Sequence, residues 1–221
     1  VRNFTVIDAP QRSSEWFAAR AGRLTGSRAK DMLATIKSGA WAASRRDLLM
    51  QLVVERLTGK PAEESDFVNA AMQWGIDHEA EAFVAYEALT GHVAVRTGFL
   101  AHTELMVGCS LDGHVGDFEG IVELKCPKST THWNYLRGDR VIPADHVTQI
   151  RHNLFVTGAA WCDFLSFDPR FPPEMQTFYL RVTRDECDLD GYAELVRVFL
   201  ADVDREVIAA KGWRALEADS A

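Results

Sequence analysis

The groups best placed to do chemistry lie in two short segments, Cys109-Ser110-Leu111-Asp112-Gly113 and Ile121-Val122-Glu123-Leu124-Lys125-Cys126. In an extended strand successive side chains point to opposite faces. Val122, Leu124 and Cys126 therefore share an apolar face, and Ile121, Glu123 and Lys125 share the other. A carboxylate and an ammonium thus project together from one rigid element. Asp112 closes the preceding strand-like run, and a hairpin between the two runs sets it beside Glu123. Two carboxylates in one pocket repel unless a cation joins them. Mg²⁺, or Mn²⁺ in its place, is a hard cation that takes oxygen ligands of this kind. Asp112, Glu123 and the Leu124 carbonyl are the candidate metal ligands. Such an ion would polarise a phosphodiester and acidify water. Lys125 would position or deprotonate that water and offset developing negative charge.

Taken alone, a Glu-x-Lys pair is equally a surface ion pair, and Asp112-Gly113 equally an ordinary turn. A third acid adds weight to the catalytic reading. Between Ala70 and Leu89, the residues Met72, Ile76, Ala80, Phe83 and Tyr86 recur at helical spacing and define an apolar face. Glu79 falls within that stripe. A carboxylate on a buried face needs a partner, and a metal, Lys125 or a simple ion pair each supplies one.

The elements that must position these groups follow from periodicity and punctuation. Ser13-Ser14-Glu15 opens a short helix that stops at Gly22, and Thr25-Gly26-Ser27 caps a second through Met32 and Leu33. Longer helices are expected over about 45–57 and 70–89, the latter ending at Gly91. Strands are expected at 93–100, 105–111 and 121–126, then a helix at 144–156 and strands at 161–167 and 176–182. A terminal helix follows over 185–217, broken or bent near Gly212. The fold class is α/β, a mixed central β-sheet flanked by helices. One domain is expected, with N-terminal helices over 12–90, a catalytic sheet core over 91–184 and the C-terminal helix.

The chain has 221 residues, 47% of them hydrophobic, which is enough for a real core. No apolar run reaches the ~20 residues that span a bilayer. No basic start followed by an apolar stretch opens the sequence, so no secretion signal and a cytoplasmic, reducing setting are expected. Cys109, Cys126, Cys162 and Cys187 are far apart and read as scattered thiols rather than ligands of an iron–sulfur cluster. The net charge of −8, from 24 Lys+Arg against 32 Asp+Glu, does not advertise a nucleic-acid binder. Only the local field along a groove matters to DNA, however, and acids around a metal add to the count without facing phosphates.

The segments Arg20-Ala21-Gly22-Arg23-Leu24-Thr25-Gly26-Ser27, Trp74-Gly75-Ile76-Asp77-His78-Glu79, Cys109-Ser110-Leu111-Asp112-Gly113 and Glu123-Leu124-Lys125-Cys126-Pro127, then Gln149, occur in this order. The ordered set resembles the lambda-exonuclease (YqaJ-type viral recombinase) family, a branch of the PD-(D/E)XK nucleases, from about residue 11 to 184. The resemblance implies that Asp112, Glu123 and the Leu124 carbonyl ligate Mg²⁺. It makes Lys125 the catalytic lysine and lets Glu79 and Gln149 complete the site. Leu111 stands where the family often has proline.

The resemblance also implies processive 5′-to-3′ degradation of one strand of duplex DNA by a ring-shaped homotrimer, beside a single-strand annealing protein, in phage recombination. It implies a 5′-phosphate pocket built from Arg20, Ser27, Lys37 and Ser110, and an apolar strand-separating wedge at Met72. Ser27 at a helix N-terminus and Arg20 as a bidentate donor suit an anion, although each is also ordinary as a cap and a last-turn cation. His132, Trp133 and Tyr135 can stack on bases or simply pack. His146 and His152, which flank Gln149, read as structural or DNA-facing. Two other readings are an endonuclease of the same superfamily and a catalytically inactive DNA-binding module.

Overall fold

The computed structural model describes residues 2–62 and 69–218. Nine strands, seven α-helices and three 3-10 turns make up these residues, with three helices and then five strands running consecutively in mid-chain. In chain order the strands are β1 (Phe4–Ile7), β2 (Leu24–Thr25), β3 (Ala94–Val95), β4 (Phe99–His102), β5 (Val107–Ser110), β6 (Gly113–Val115), β7 (Gly120–Lys125), β8 (Trp161–Phe167) and β9 (Thr177–Thr183). The helices are α1 (Ser14–Arg20), α2 (Ala29–Met32), α3 (Ala43–Thr58), α4 (Ala70–Thr90), α5 (Ser129–Arg137), α6 (Ala144–Thr157) and α7 (Leu189–Ala218).

The mixed α/β class holds, but the strands form two sheets rather than one. A five-stranded sheet has the order β3-β6-β7-β8-β9, with β7 and β8 parallel and the other pairs antiparallel. A four-stranded sheet has the order β1-β4-β5-β2. The central strands β7 and β8 are buried on both faces, so they read as apolar runs in which Glu123, Asp163 and Ser166, with the half-buried Lys125 at the end of β7, are the exceptions. Helix α4 lays Ala82, Phe83 and Tyr86 against Val122, Leu124, Leu165 and Phe167. The opposite face, carrying Ile121, Cys162 and Phe164, joins the larger core with Ile150 and Leu154 of α6.

Capping explains several boundaries. Ser13 caps α1 by accepting the Trp16 N–H at 3.1 Å, and Asn69 caps α4 by accepting the Met72 N–H at 2.9 Å. Gly91, at φ 72°, closes α4 in the left-handed conformation that a side chain would strain.

Several expectations are corrected. The run 93–100 is split between β3 and β4, which lie in different sheets. The turn expected at Asp112-Gly113 leads directly into a strand, β6, because Gly113 pairs with Val122 across the ladder. Strand β1 and helix α5 were not expected, since each is short and finds its partners far away in sequence. The 3-10 turn Arg184–Glu186 closes with a capping box from Thr183, so α7 starts at Leu189, and it runs through Gly212 without a break. The apolar stripe of α4 is buried only toward its C-terminal end. Met72 is 43% and Ile76 48% exposed, because the first half of the helix extends past the end of the sheet.

Candidate active site

The β6–β7 ladder does what a hairpin requires. Pairing Gly113 with Val122 sets Asp112 alongside Glu123, and the Asp112 carboxylate accepts the Leu124 N–H at 2.7 Å. Glu123 points away from α4 and into the interior beneath α6, where it is 1% exposed. Three donors meet its carboxylate. The Lys125 ammonium and the Gln149 amide, at 2.6 Å, reach Oε1. The Asn153 amide reaches Oε2 at 3.3 Å. Lys125 Nζ also lies 4.0 Å from Asp112.

Gln149 and Asn153 are four residues apart on α6 and so share a face. Asn153 is a site residue that sequence reasoning missed, although that spacing was available. Its Oδ1 is buried without a partner beside Gly26, where an added Cβ would come within 2.7 Å of it. Glycine is needed there for close approach rather than for an unusual φ.

Glu79 arrives from the other side of the sheet. Because α4 overshoots the end of β7, its half-exposed carboxylate shares a cleft of about 640 Å³ with Lys125, Met72, Ile76, Tyr135 and His146. Glu79 bonds Arg96 at 3.1 Å, a partner not foreseen. Burial and the neighbouring Asp112 charge hold its carboxyl above the usual range, opposed by Arg96 and Lys125. Burial also raises Glu123, with Lys125 opposing and Asp112 adding to the rise. For Lys125, burial favours the neutral amine, but Glu123 and Asp112 outweigh it and the pKa rises. Lys125 is therefore an ammonium in this arrangement, suited to orienting groups and offsetting negative charge.

Among the described residues no three acidic, histidine or cysteine side chains already close into a metal cage, since Arg96 draws Glu79 away and Lys125 sits on Glu123. The donor chemistry nevertheless fits a hard divalent cation. Asp112 and Glu123 offer carboxylate oxygens from adjacent strands, and Glu123 is a buried acid whose charged form a cation would stabilise.

A second cluster forms around α1. Arg20 donates to Ser27 Oγ at 3.3 Å and Thr25 Oγ1 at 3.4 Å, and its guanidinium lies 4.0 Å over the Trp16 ring. Trp16 donates to Ser110 Oγ at 2.9 Å and so ties this cluster to β5. Among the described residues no carboxylate bonds Arg20, and burial with the nearby Arg28 charge holds its pKa down to about 10. Arg28 itself is matched by Glu55 through two bonds of 2.7 and 2.9 Å. Arg20 and Arg28 line a cavity of about 220 Å³. A cation without a carboxylate, ringed by hydroxyls, suits a small anion. Ser27 lies in a 3-10 turn ahead of the four-residue α2, so no long helix N-terminus supports it. Lys37 stands on the exposed turn between Thr35 and Trp41 and makes no bond to Arg20, Ser27 or Ser110.

His132 and His152, two of the remaining candidates, are buried core residues. His132 bonds Ser166 Oγ at 2.8 Å and the Met175 carbonyl at 2.9 Å, and is wholly buried. His152 is buried between Tyr192 and the Gly108 carbonyl. Cys109 and Cys162 are core thiols. No helix among the described residues is long and apolar enough to cross a membrane.

An acid at the head of a hairpin, with Glu-x-Lys on the next central strand of a mixed sheet, is the arrangement of the PD-(D/E)XK class. Within that class the chain belongs to the YqaJ-like viral recombinase domain family, whose pattern matches residues 15–160. It is similar to the crystal structure of an alkaline exonuclease, LHK-Exo, from Laribacter hongkongensis, at 35% identity and a TM-score of 0.79, covering 92% of this chain and 98% of that one. The same enzyme in complex with dAMP matches over the same shares with a TM-score of 0.80. A phage-related exonuclease from Haemophilus somnus 129PT, 14% identical with a TM-score of 0.60, shares the fold over 85% of this chain and 96% of that one. No curated protein matches the chain.

Proposed function

We propose that this chain is a Mg²⁺-dependent exonuclease that degrades one strand of linear duplex DNA in the 5′-to-3′ direction. The observation that carries the reading is the meeting of Asp112, at the head of β6, with Glu123 and Lys125 of β7, the lysine lining the cleft. The relatives' descriptions as exonucleases, one of them with a bound deoxynucleotide, support it.

Asp112, Glu123 and the Leu124 carbonyl would hold the Mg²⁺, and Mn²⁺ would substitute. When bound, the ion supplies Lewis-acid polarisation of the scissile phosphate. The chain's own groups do the rest. Lys125 faces the cleft as an ammonium, orients the attacking water and offsets the charge that grows on the phosphate oxygens. Water adds to phosphorus as the bond to the 3′ oxygen breaks, the water's proton passing to solvent and the leaving 3′ oxygen taking one up to become a hydroxyl. Gln149 and Asn153 keep the Glu123 carboxylate in register, and Glu79 borders the cleft from α4.

Arg20, Ser27 and Ser110, with Trp16 as their link, would receive the terminal 5′-phosphate and so set the polarity. Lys37 would add long-range attraction from its turn. Met72, exposed at the rim, would act as the wedge that parts the strands. A ring-shaped homotrimer and a single-strand annealing partner in recombination complete the proposal and rest on the family resemblance.

Linear duplex labelled at both the 5′ and 3′ ends tests it. The 5′ label should be released first, only with Mg²⁺ or Mn²⁺, and Lys125→Ala should be inert. Cleavage of closed circular DNA would instead point to an endonuclease.

A further inference from the structure

Beyond the cleft wall at Pro127, a chain of contacts leads to aromatic rings that the nuclease reading does not use. Pro127 lines the cleft, and its carbonyl accepts the Arg170 guanidinium at 3.4 Å. Arg170 is clamped by the buried Asp168 at 2.7 and 2.9 Å and lies 4.0 Å over the Trp74 ring. Trp74 sits on α4 between Met72 and Gly75, which both line the cleft. The residue after Arg170, Phe171, is nearly parallel to Trp133 of α5, with ring centroids 6.5 Å apart and planes at 13°.

Trp133 is 44% exposed, and its orientation is anchored from inside. The preceding residue, His132, commits both ring nitrogens to buried partners and pins α5 to the sheet. The neighbouring side chain is thereby directed outward. A large flat ring left in water, with a second nearly parallel ring behind it, offers a preformed π surface. Arg170 is neutralised by Asp168, so it braces the strip rather than adding a free positive charge.

We propose that Trp133, backed by Phe171 and braced by the Arg170–Trp74 pair, is a stacking platform for unpaired bases of single-stranded DNA next to the cleft. Every base has a π face, so such a surface is tolerant of sequence. The unpaired strand that would use it is the one duplex digestion leaves behind, and in that respect the proposal rests on the nuclease reading. Because the contact is with bases, its salt dependence should be weaker than that of a row of lysines on phosphates.

The test measures binding of a fluorescently labelled oligothymidylate by anisotropy in EDTA, where no digestion proceeds. Trp133→Ala should weaken binding by about 5- to 100-fold, the range for loss of a base–aromatic stack. Trp133→Phe, which retains a ring, should stay within about threefold of the native protein. The slope of affinity against salt should not change in either variant. Far-UV circular dichroism identifies any variant that has lost its fold. Trp133→Gln, polar and ringless at the same exposed position, is then held to the Trp133→Ala expectation. Oligothymidylate binding that is absent from the native protein, or equal in Trp133→Ala, overturns the platform. Mg²⁺-dependent digestion of duplex by the native protein is scored separately, so a protein that digests but ignores Trp133 disproves the platform alone. One that stacks bases but never digests disproves the nuclease reading instead.

Discussion

Asp112 accepts the backbone N–H of Leu124 at 2.7 Å, across the β6–β7 ladder. The carboxylate is thus fixed by the sheet itself and stands beside Glu123 whether or not an ion is present. Asparagine at position 112 keeps an acceptor for that N–H and removes the charge. Asp112→Asn should change stability by no more than about 1 kcal/mol, the scale of one hydrogen bond, while lowering kcat by roughly 100-fold or more. Urea unfolding and initial rates on linear duplex provide the two measurements. Near-native turnover would remove Asp112 from the site.

Lys125 neutralises a wholly buried carboxylate as well as facing the cleft. Lys125→Ala should abolish digestion, falling by about 100- to 1000-fold. It should also destabilise the fold by about 3 kcal/mol, because Glu123 is left buried with one cation fewer. Glu123→Gln, which has no charge to leave uncompensated, should be equally inactive but less destabilised. A Lys125→Ala protein with unchanged unfolding midpoint would contradict the pairing seen here.

Among the described residues Arg20 has hydroxyl and ring partners but no carboxylate. Arg20→Ala should erase a preference for 5′-phosphorylated over 5′-hydroxyl duplex, a difference of about tenfold on the scale of one charged contact. The check is a paired rate comparison on the two substrates. Persistence of the preference in the variant would place the phosphate elsewhere.

Gly26 lies against the orphaned Oδ1 of Asn153, and a methyl group there would press on it from 2.7 Å. Gly26→Ala should displace Asn153 from Glu123 and lower kcat by several-fold with little change in KM. Asn153→Ala should do the same. If Gly26→Ala instead raises KM alone, its effect runs through the nearby Ser27 and Arg20 cluster.

His152 supplies a pH prediction. Burial holds its pKa down to about 4, with the hydrogen bond to the Gly108 carbonyl opposing, whereas a free histidine titrates near 6.5. Between those values the unfolded chain takes up a proton that the folded chain refuses. This contribution to stability is therefore complete above pH ~6.5 and declines as the pH falls, by about 3 kcal/mol near pH 4. Urea midpoints measured from pH 7 down to pH 4 should fall less steeply in His152→Gln, which cannot titrate. Parallel curves for the two proteins would show that His152 does not carry the effect.

Local pattern and spacing made much of the chain legible. The Gly91 stop, the long helices, the central strands β7 and β8, and the opposite faces of Val122 and Glu123 all follow from periodicity and punctuation within a few residues of chain. Strand β1, helix α5 and the division of 93–100 between two sheets were hidden, because short segments take their conformation from partners distant in sequence. The apolar stripe of α4 misled for a related reason. Periodicity says which residues share a face, but not how far the sheet beneath that face extends.

Residue order alone determined that an acid, a glutamate and a lysine could stand together at one strand end, since alternation and a short turn are local geometry. Only the tertiary structure decided what surrounds them. Asn153 and Gln149 meet Glu123 because α6 crosses beneath β7, Arg96 takes Glu79 because α4 overruns the sheet, and Trp16 joins Arg20 to Ser110 across 94 residues of sequence. Charge state depends on that enclosure. Burial and the distance to the nearest opposite charge make Lys125 a cation and raise the Glu123 carboxyl, and neither quantity exists until the chain has folded.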